Sequence, residues 1–144
     1  MCGITGMVVR DGLTDEDRIE VDALAELMAR RGPDDVGAWD DGVACALGFR
    51  RLAIIDLSQG GHQPMVSDDG RDVVVFNGEI YNYRALRREL EDRGRRFRST
   101  SDTEVVLQSL QEWGIDALAR LNGMFAIAWY RPERRELLLA RDPV

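Results

Sequence analysis

The chain has 144 residues, 44% hydrophobic and 31% charged, which is the make-up of one globular domain with enough apolar surface for a core. Lys+Arg of 19 against Asp+Glu of 26 gives a net charge of −7, which argues against the basic footprint of a nucleic-acid binder. Two cysteines and one histidine exclude a disulfide framework, a zinc pattern and any site that needs two histidines; no apolar run approaches the roughly 20 residues of a membrane span.

In chain order, residues 4–10 (ITGMVVR) read as a first strand, closed by the turn Asp11-Gly12. Thr14 is the expected N-cap of a helix whose first turn carries Asp15, Glu16 and Asp17, acids that suit the positive end of the helix dipole. Leu24, Leu27 and Met28, with Val21, fall on one face at helical spacing, and Gly32-Pro33 break the helix after Arg30 and Arg31. Asp40-Asp41-Gly42 is a hairpin signal. The second arm is expected over 43–49, interrupted by Arg50 and Arg51 and continued over 52–55. Residues 56–64 (DLSQGGHQP) are turn formers and predict a loop.

The β-branched run 72–76 predicts a buried strand that stops at Asn77-Gly78-Glu79. A helix follows over 83–93, with Leu86 and Leu90 in register and Gly94 as its stop. The arginines at 93, 95, 96 and 98 read as solvated surface. Ser101 and Glu104 fit a capping box for a helix to about Trp113, and a short helix follows over 115–121. Residues 124–130 and 136–140 complete a hairpin around 131–134. Strands, then helices, then strands do not make the alternation of a parallel sheet; they predict an α+β fold of antiparallel sheets with helices outside. The chain stops at Arg141-Asp142-Pro143-Val144 directly after a strand, so the sequence is expected to continue in a longer parent. The N-terminus has neither the basic start nor the long apolar core of a signal peptide, and cytoplasm is the expected compartment.

Cys2 is the first candidate for chemistry. Trimming of Met1 is expected because the second residue is small, and it would put a thiol and a free α-amine on one residue. A thiol attacks as thiolate, and an α-amine titrates close enough to neutrality to serve as its base. The other reading is a cysteine at a frayed terminus. Asn77-Gly78 is the second candidate: a side-chain amide and a glycine N–H can converge on one developing oxyanion. The same pair also favours a plain hairpin turn, although the residues after it (EIYNYRAL) lead into a helix. Arg51 could clamp a carboxylate in bidentate fashion or lie on the wet face of its strand. Glu79 and Asp102 could hold an ammonium group, and a first-turn helix acid such as Asp102 is also explained by the dipole alone. Cys45 and His62 read as structural. Together these parts suit cleavage of an amide on a zwitterionic amino acid.

The segments MCGITG, RRGPDDVG, RRLAIIDLSQGGHQPM, NGEIYNY, STSDTEVVL, NGMFAIAWY and LLARDPV, in this order and spacing over nearly the whole chain, resemble the glutaminase domain of glutamine-hydrolysing asparagine synthetases. Those domains are class II glutamine amidotransferases, N-terminal-nucleophile hydrolases with an αββα sandwich. The resemblance implies roles at matching positions. Cys2 would be the nucleophile once Met1 is removed, and Asn77 with the Gly78 N–H would form the oxyanion hole. Arg51 would hold the α-carboxylate of L-glutamine, Glu79 and Asp102 its α-ammonium, and backbone around Leu52 and Ile54 would line the pocket. Ammonia released with glutamate would pass to a C-terminal synthetase domain that uses ATP and Mg2+ to activate aspartate. For residues 1–144 themselves the resemblance implies neither cofactor nor metal, and no nucleic-acid or membrane partner; a homodimer is left open.

The departure is length: the family's domain runs on past the RDP motif, so the sandwich is expected to be incomplete, with the synthetase domain absent from this sequence. Three functional readings remain. One is a glutaminase that feeds asparagine synthesis. Another is a non-catalytic module that binds glutamine or a partner. The third is the amidotransferase domain of a synthetase-like enzyme with another acceptor.

Overall fold

The computed structural model describes residues 2–143. Strand β1 (Gly3–Val8) is followed by helix α1 (Asp15–Leu27), strands β2 (Asp35–Asp40) and β3 (Cys45–Arg51), and the short β4 (Met65–Val66). Strand β5 (Val73–Ile80), helices α2 (Tyr83–Asp92) and α3 (Asp102–Trp113), and the pair β6 (Gly123–Arg131) and β7 (Glu136–Arg141) complete the chain. All strand pairs are antiparallel, in a three-stranded sheet ordered β1-β3-β2 and a four-stranded sheet ordered β4-β5-β6-β7. The expected α+β fold of layered antiparallel sheets is the observed one.

Two apolar clusters define the layers. Cys45, Leu47 and Phe49 of β3 meet Val73 and Val75 of β5 and Ala128 and Tyr130 of β6 in the seam between the sheets. On its other face the four-stranded sheet presents Val74, Phe76, Ile127 and Trp129 to Leu86 and Leu90 of α2 and to Val106 and Leu110 of α3. Alternation along each strand produces this division, because successive side chains leave opposite faces. Helix α1 covers the outer face of the three-stranded sheet. The result is four layers, α, β, β, α.

Helix α1 buries only part of the expected face: Val21 and Met28 turn inward, Leu24 and Leu27 do not. Val21 and Ala25 are buried, whereas Leu27 is 82% exposed. Glycines decide this. A Cβ on Gly48 would stand 3.1 Å from Val21 Cγ1 and 3.3 Å from Ala25 Cβ, and one on Gly3 would stand 2.7 Å from Met28 Sδ. The helix settles over the bare backbone of β1 and β3 through Val21, Ala25 and Met28, which turns Leu24 and Leu27 outward. Its start is stronger than expected: Thr14 and Asp17 cap each other reciprocally, with Asp17 in the place a glutamate usually fills. Ser101, by contrast, caps α3 in one direction only. Its hydroxyl accepts from the Glu104 N–H at 3.2 Å, while the Glu104 carboxylate takes the N–H groups of Arg98 and Ser99.

Two strand boundaries also differ from expectation. Arg50 and Arg51 do not interrupt β3 but end it, Arg50 reaching Glu26 of α1 on one face. The expected continuation over 52–55 is loop. Strand β5 does not stop at Asn77-Gly78-Glu79; it pairs with β6 as far as Ile80 opposite Gly123, so Asn77-Gly78 is no hairpin turn. The arginines of the 93–98 stretch lie at the surface as expected, where Arg93 and Arg95 pair with Glu112 and Arg98 with Asp68.

Candidate active site

One end of the seam is open, and the strand registers bring the candidate residues to it. In β1 the even positions face the second sheet: Cys2 and Ile4 pack against the seam cluster, while Gly3 backs onto Met28. Gly3 stands opposite Arg50 in β3, so Cys2 lies beside the end of β3. The Leu52 N–H donates to Cys2 Sγ at 3.3 Å, and the thiol lies 3.7 Å from the Leu52 carbonyl. Arg31 Nε donates to the Cys2 carbonyl at 3.3 Å, which fixes the peptide that carries the thiol. Met1 and its expected trimming lie outside the described residues.

Cys2, Arg51, Leu52, Ile54, Asn77, Gly78, Glu79 and Asp102 all line one cavity of about 420 Å3. Every site residue named from the sequence is therefore at one place, although their ranks in the chain span a hundred positions. Cys45 and His62 stand apart in structural roles. Cys45 is fully buried in the seam, and that burial pushes its thiol up to about 12, which leaves it inert. His62 Nδ1 lies 2.8 Å from Asp35 Oδ2.

The end of β5 presents hydrogen-bonding groups in a specific order. Phe125 bonds to Asp142 through both its N–H and its carbonyl, at 2.8 and 3.0 Å, so its polar groups point away from β5. Gly78 is the partner of Phe125 in the ladder, and its own N–H and carbonyl must therefore point to the outer edge. Phe76 and Ile80 share that orientation. The Phe76 N–H and carbonyl are met by the Gln63 side chain, and the Ile80 N–H by Asp102 Oδ2 at 3.1 Å. Between them the Gly78 N–H faces the cavity and meets no acceptor among the described residues. Glycine is required here by space: a Cβ would collide with the Met124 carbonyl and stand 2.7 Å from Phe125 Cα. Neighbouring Asn77 projects its side chain into the seam, and its amide likewise has no partner among the described residues.

Arg51 is buried in the cavity wall. Its Nη1 donates to the Ser58 carbonyl at 2.9 Å and its Nη2 to the Asp56 carbonyl, with the guanidinium lying where a Cβ on Gly61 would stand. A guanidinium has five N–H donors, so these two bonds hold the group in place and leave others for a ligand. Asp56 ties this loop to the start of α3. One carboxylate oxygen accepts from Ser58 N and Oγ, the other from Thr100 N and Oγ1, and these bonds, led by the Ser58 hydroxyl, hold its carboxyl down at about 2. Asp56 thus links the loop that holds the Arg51 guanidinium to the segment that leads into α3, whose first residue is Asp102.

Asp102 is buried, and burial first, then the charge of Glu79, raises its carboxyl above the ordinary value. Neither acid has a cationic partner among the described residues, so the pair makes a negative corner that a ligand ammonium would complete. Sequence reasoning missed Asp56, Gln63 and Asp142. Gln63 and Asp56 sit in a stretch of turn formers that signals only a loop, and nothing local marks which of its polar side chains fold inward.

The glutamine amidotransferase domain family matches this chain over residues 1–144. The chain belongs to that family. It is 41% identical over 144 residues to asparagine synthetase [glutamine-hydrolyzing] 3 of Bacillus subtilis, covering 99% of this chain and 23% of that protein. It is 42% identical to asparagine synthetase B [glutamine-hydrolyzing] of Escherichia coli, covering 99% of this chain and 25% of that one. The amidotransferase domain thus spans about a quarter of the length of these relatives. Among solved structures, the B. subtilis glutamine phosphoribosylpyrophosphate amidotransferase bound to ADP and GMP superposes with a TM-score of 0.57 at 26% identity, over 71% of this chain and 24% of that one. The four-layer arrangement is the αββα sandwich of N-terminal-nucleophile amidotransferases.

Proposed function

We propose that this amidotransferase domain hydrolyses L-glutamine to glutamate and ammonia with Cys2 as nucleophile. Removal of Met1 would free the Cys2 α-amine, which takes the thiol proton as Sγ attacks the side-chain amide carbon. The negative charge that develops on the amide oxygen is met by Asn77 Nδ2 and the Gly78 N–H. The amine then returns the proton to the departing nitrogen, and ammonia leaves a glutamyl thioester on Cys2. Water, deprotonated by the same amine, cleaves the thioester and restores the thiol. Arg51 holds the α-carboxylate of the substrate, and Asp102 with Glu79 its α-ammonium. Leu52 positions the thiol through its N–H, and Ile54, 68% exposed, flanks the entrance.

The observation that carries this reading is the Gly78 N–H. It is the open position in a row whose neighbours on both sides are closed by side chains, beside an Asn77 amide with no partner among the described residues and in the same cavity as a thiol. An oxyanion hole is built of such donors, fixed before the charge arrives.

In the longer parent the ammonia would pass to a C-terminal synthetase domain that makes asparagine from aspartate, with ATP and Mg2+ bound there rather than by residues 1–144. The names of the relatives and the quarter of their length matched here support that extension. No helix among the described residues is long and apolar enough to cross a membrane, and cytoplasm is the compartment proposed. The test is glutamate release from L-glutamine by the chain and by Cys2→Ala, after intact mass establishes that Met1 is gone. Release that depends on Cys2 supports the proposal; equal release from both proteins, or none from the folded and trimmed chain, contradicts it.

A further inference from the structure

Gln63 stands where a strand would otherwise continue. Strand β4 pairs with β5 only at Met65 opposite Val74 and Val66 opposite Val73, so beyond Val74 the outer edge of β5 has no strand beside it. Gln63 is 3% exposed. Its Oε1 accepts the Phe76 N–H at 2.6 Å, and its Nε2 donates to the Phe76 carbonyl at 3.1 Å and to Thr103 Oγ1 at 3.2 Å. One side-chain amide thereby supplies both bonds of a neighbouring strand. It also ties the edge to the first turn of α3, beside Asp102.

We propose that Gln63 is a positioning residue for the reaction. By clamping both polar groups of Phe76 it fixes the following peptides, and so keeps the Gly78 N–H aimed at the oxygen that becomes negative. The inference rests on the oxyanion-hole reading of Asn77 and Gly78 and adds a residue that borders the same cavity but whose amide is bonded to Phe76 and Thr103. The physical argument is preorganisation: a donor stabilises a transient charge fully only when it is already aligned. Without Gln63 the Phe76 N–H and carbonyl would be buried and unpaired, and the edge peptides would turn to find partners.

The variants are Gln63→Glu, which keeps the acceptor for the Phe76 N–H but faces the Phe76 carbonyl with a second oxygen, and Gln63→Met, which removes both bonds. Four quantities are measured: kcat for L-glutamine, glutamine affinity by calorimetry in the Cys2→Ala background, the rate of Cys2 alkylation by iodoacetamide, and the melting temperature. Alkylation reports on the nucleophile but forms no oxyanion. The expected result is a fall in kcat of about 100-fold for Gln63→Met and about 10-fold for Gln63→Glu. Affinity and alkylation stay within about threefold of the parent values. A kcat within about threefold of wild type, or a loss matched equally in affinity and alkylation, overturns the proposal. Should Gln63→Met not fold, Gln63→Glu alone decides by the same criteria. If the wild-type chain releases no Cys2-dependent glutamate, the glutaminase reading fails separately. Amide exchange then decides the positioning role: Gln63→Glu is expected to speed exchange at the β6-paired amides of Asn77 and Glu79 while leaving Val73 unchanged. Unchanged exchange at Asn77 and Glu79 overturns it.

Discussion

At one end of the sandwich stands Asp41, at the other Asp102. Asp41 lies in the β2–β3 turn and is saturated. Its Oδ1 accepts the N–H groups of Val43, Ala44 and Cys45, and its Oδ2 the Tyr130 hydroxyl at 2.6 Å. Those bonds outweigh its desolvation and hold its carboxyl at about 2. Asp102 accepts the N–H of Ile80, is buried, and shares its corner with a second acid, so its carboxyl is raised. The saturated end closes the fold between the sheets. Among the described residues the unsaturated end holds charge and donors without partners, which destabilises the chain locally; on the proposed reading these are the groups that would receive the zwitterionic substrate.

The contrast is broken most severely at the proposed oxyanion hole. Asn77→Ala is expected to lower kcat for glutamine by about 10²–10³-fold with little change in melting temperature, measured by glutamate release and calorimetric scanning. A parallel loss of stability would place Asn77 among the structural groups instead. Asp102→Asn comes next. It should weaken glutamine binding by about 10–100-fold through the lost charged contact, measured as affinity in the Cys2→Ala background. The same change should raise the melting temperature near pH 7, since it removes a buried negative charge while leaving an oxygen for the Ile80 N–H.

Tyr130→Phe sharpens the other end. It should cost about 1.5 kcal/mol of stability, read from denaturant unfolding, with kcat per folded molecule unchanged. The two aspartates also predict opposite responses to acid. Asp41 has a folded value below the ordinary 3.8, so its contribution is complete above that value and is lost as the pH falls towards about 2. Asp102 has a raised folded value, so its charged form opposes folding, and protonation relieves that cost as the pH falls through the raised value. Glutamine affinity should therefore decline on acidification at a higher pH than an ordinary carboxylate would give, before the fold weakens. The Asp102→Asn variant should lose that pH dependence. The smallest effect is expected at α1: Leu27→Ser should change stability by less than about 0.5 kcal/mol because the side chain faces outward, whereas Val21→Ala should cost about 1–2 kcal/mol.

The same contrast separates what the sequence made legible from what it hid. Strand and helix order were readable because apolar periodicity and glycine stops are local signals, as at Leu86, Leu90 and Gly94. The gathering of Cys2, Arg51, Asn77, Glu79 and Asp102 was readable only through the resemblance, since no spacing rule joins residues a hundred positions apart. Periodicity misjudged α1 because the buried face was chosen by Gly3 and Gly48 on other elements. Asn77-Gly78 suggests a turn in isolation, and only β6, with Met124 and Phe125 crowding Gly78, explains why the strand runs on. Gln63 and Asp56 were hidden because loop composition says nothing about which polar side chains fold inward to replace a strand or staple two loops.

The most direct test is to quench the trimmed chain with acid during turnover of L-glutamine and weigh the peptide that carries Cys2. A glutamyl adduct on Cys2 that disappears as glutamine is exhausted, and that is absent from Cys2→Ala, is the predicted result. Continued glutamate formation by Cys2→Ala, or an adduct on any other residue, would contradict the account.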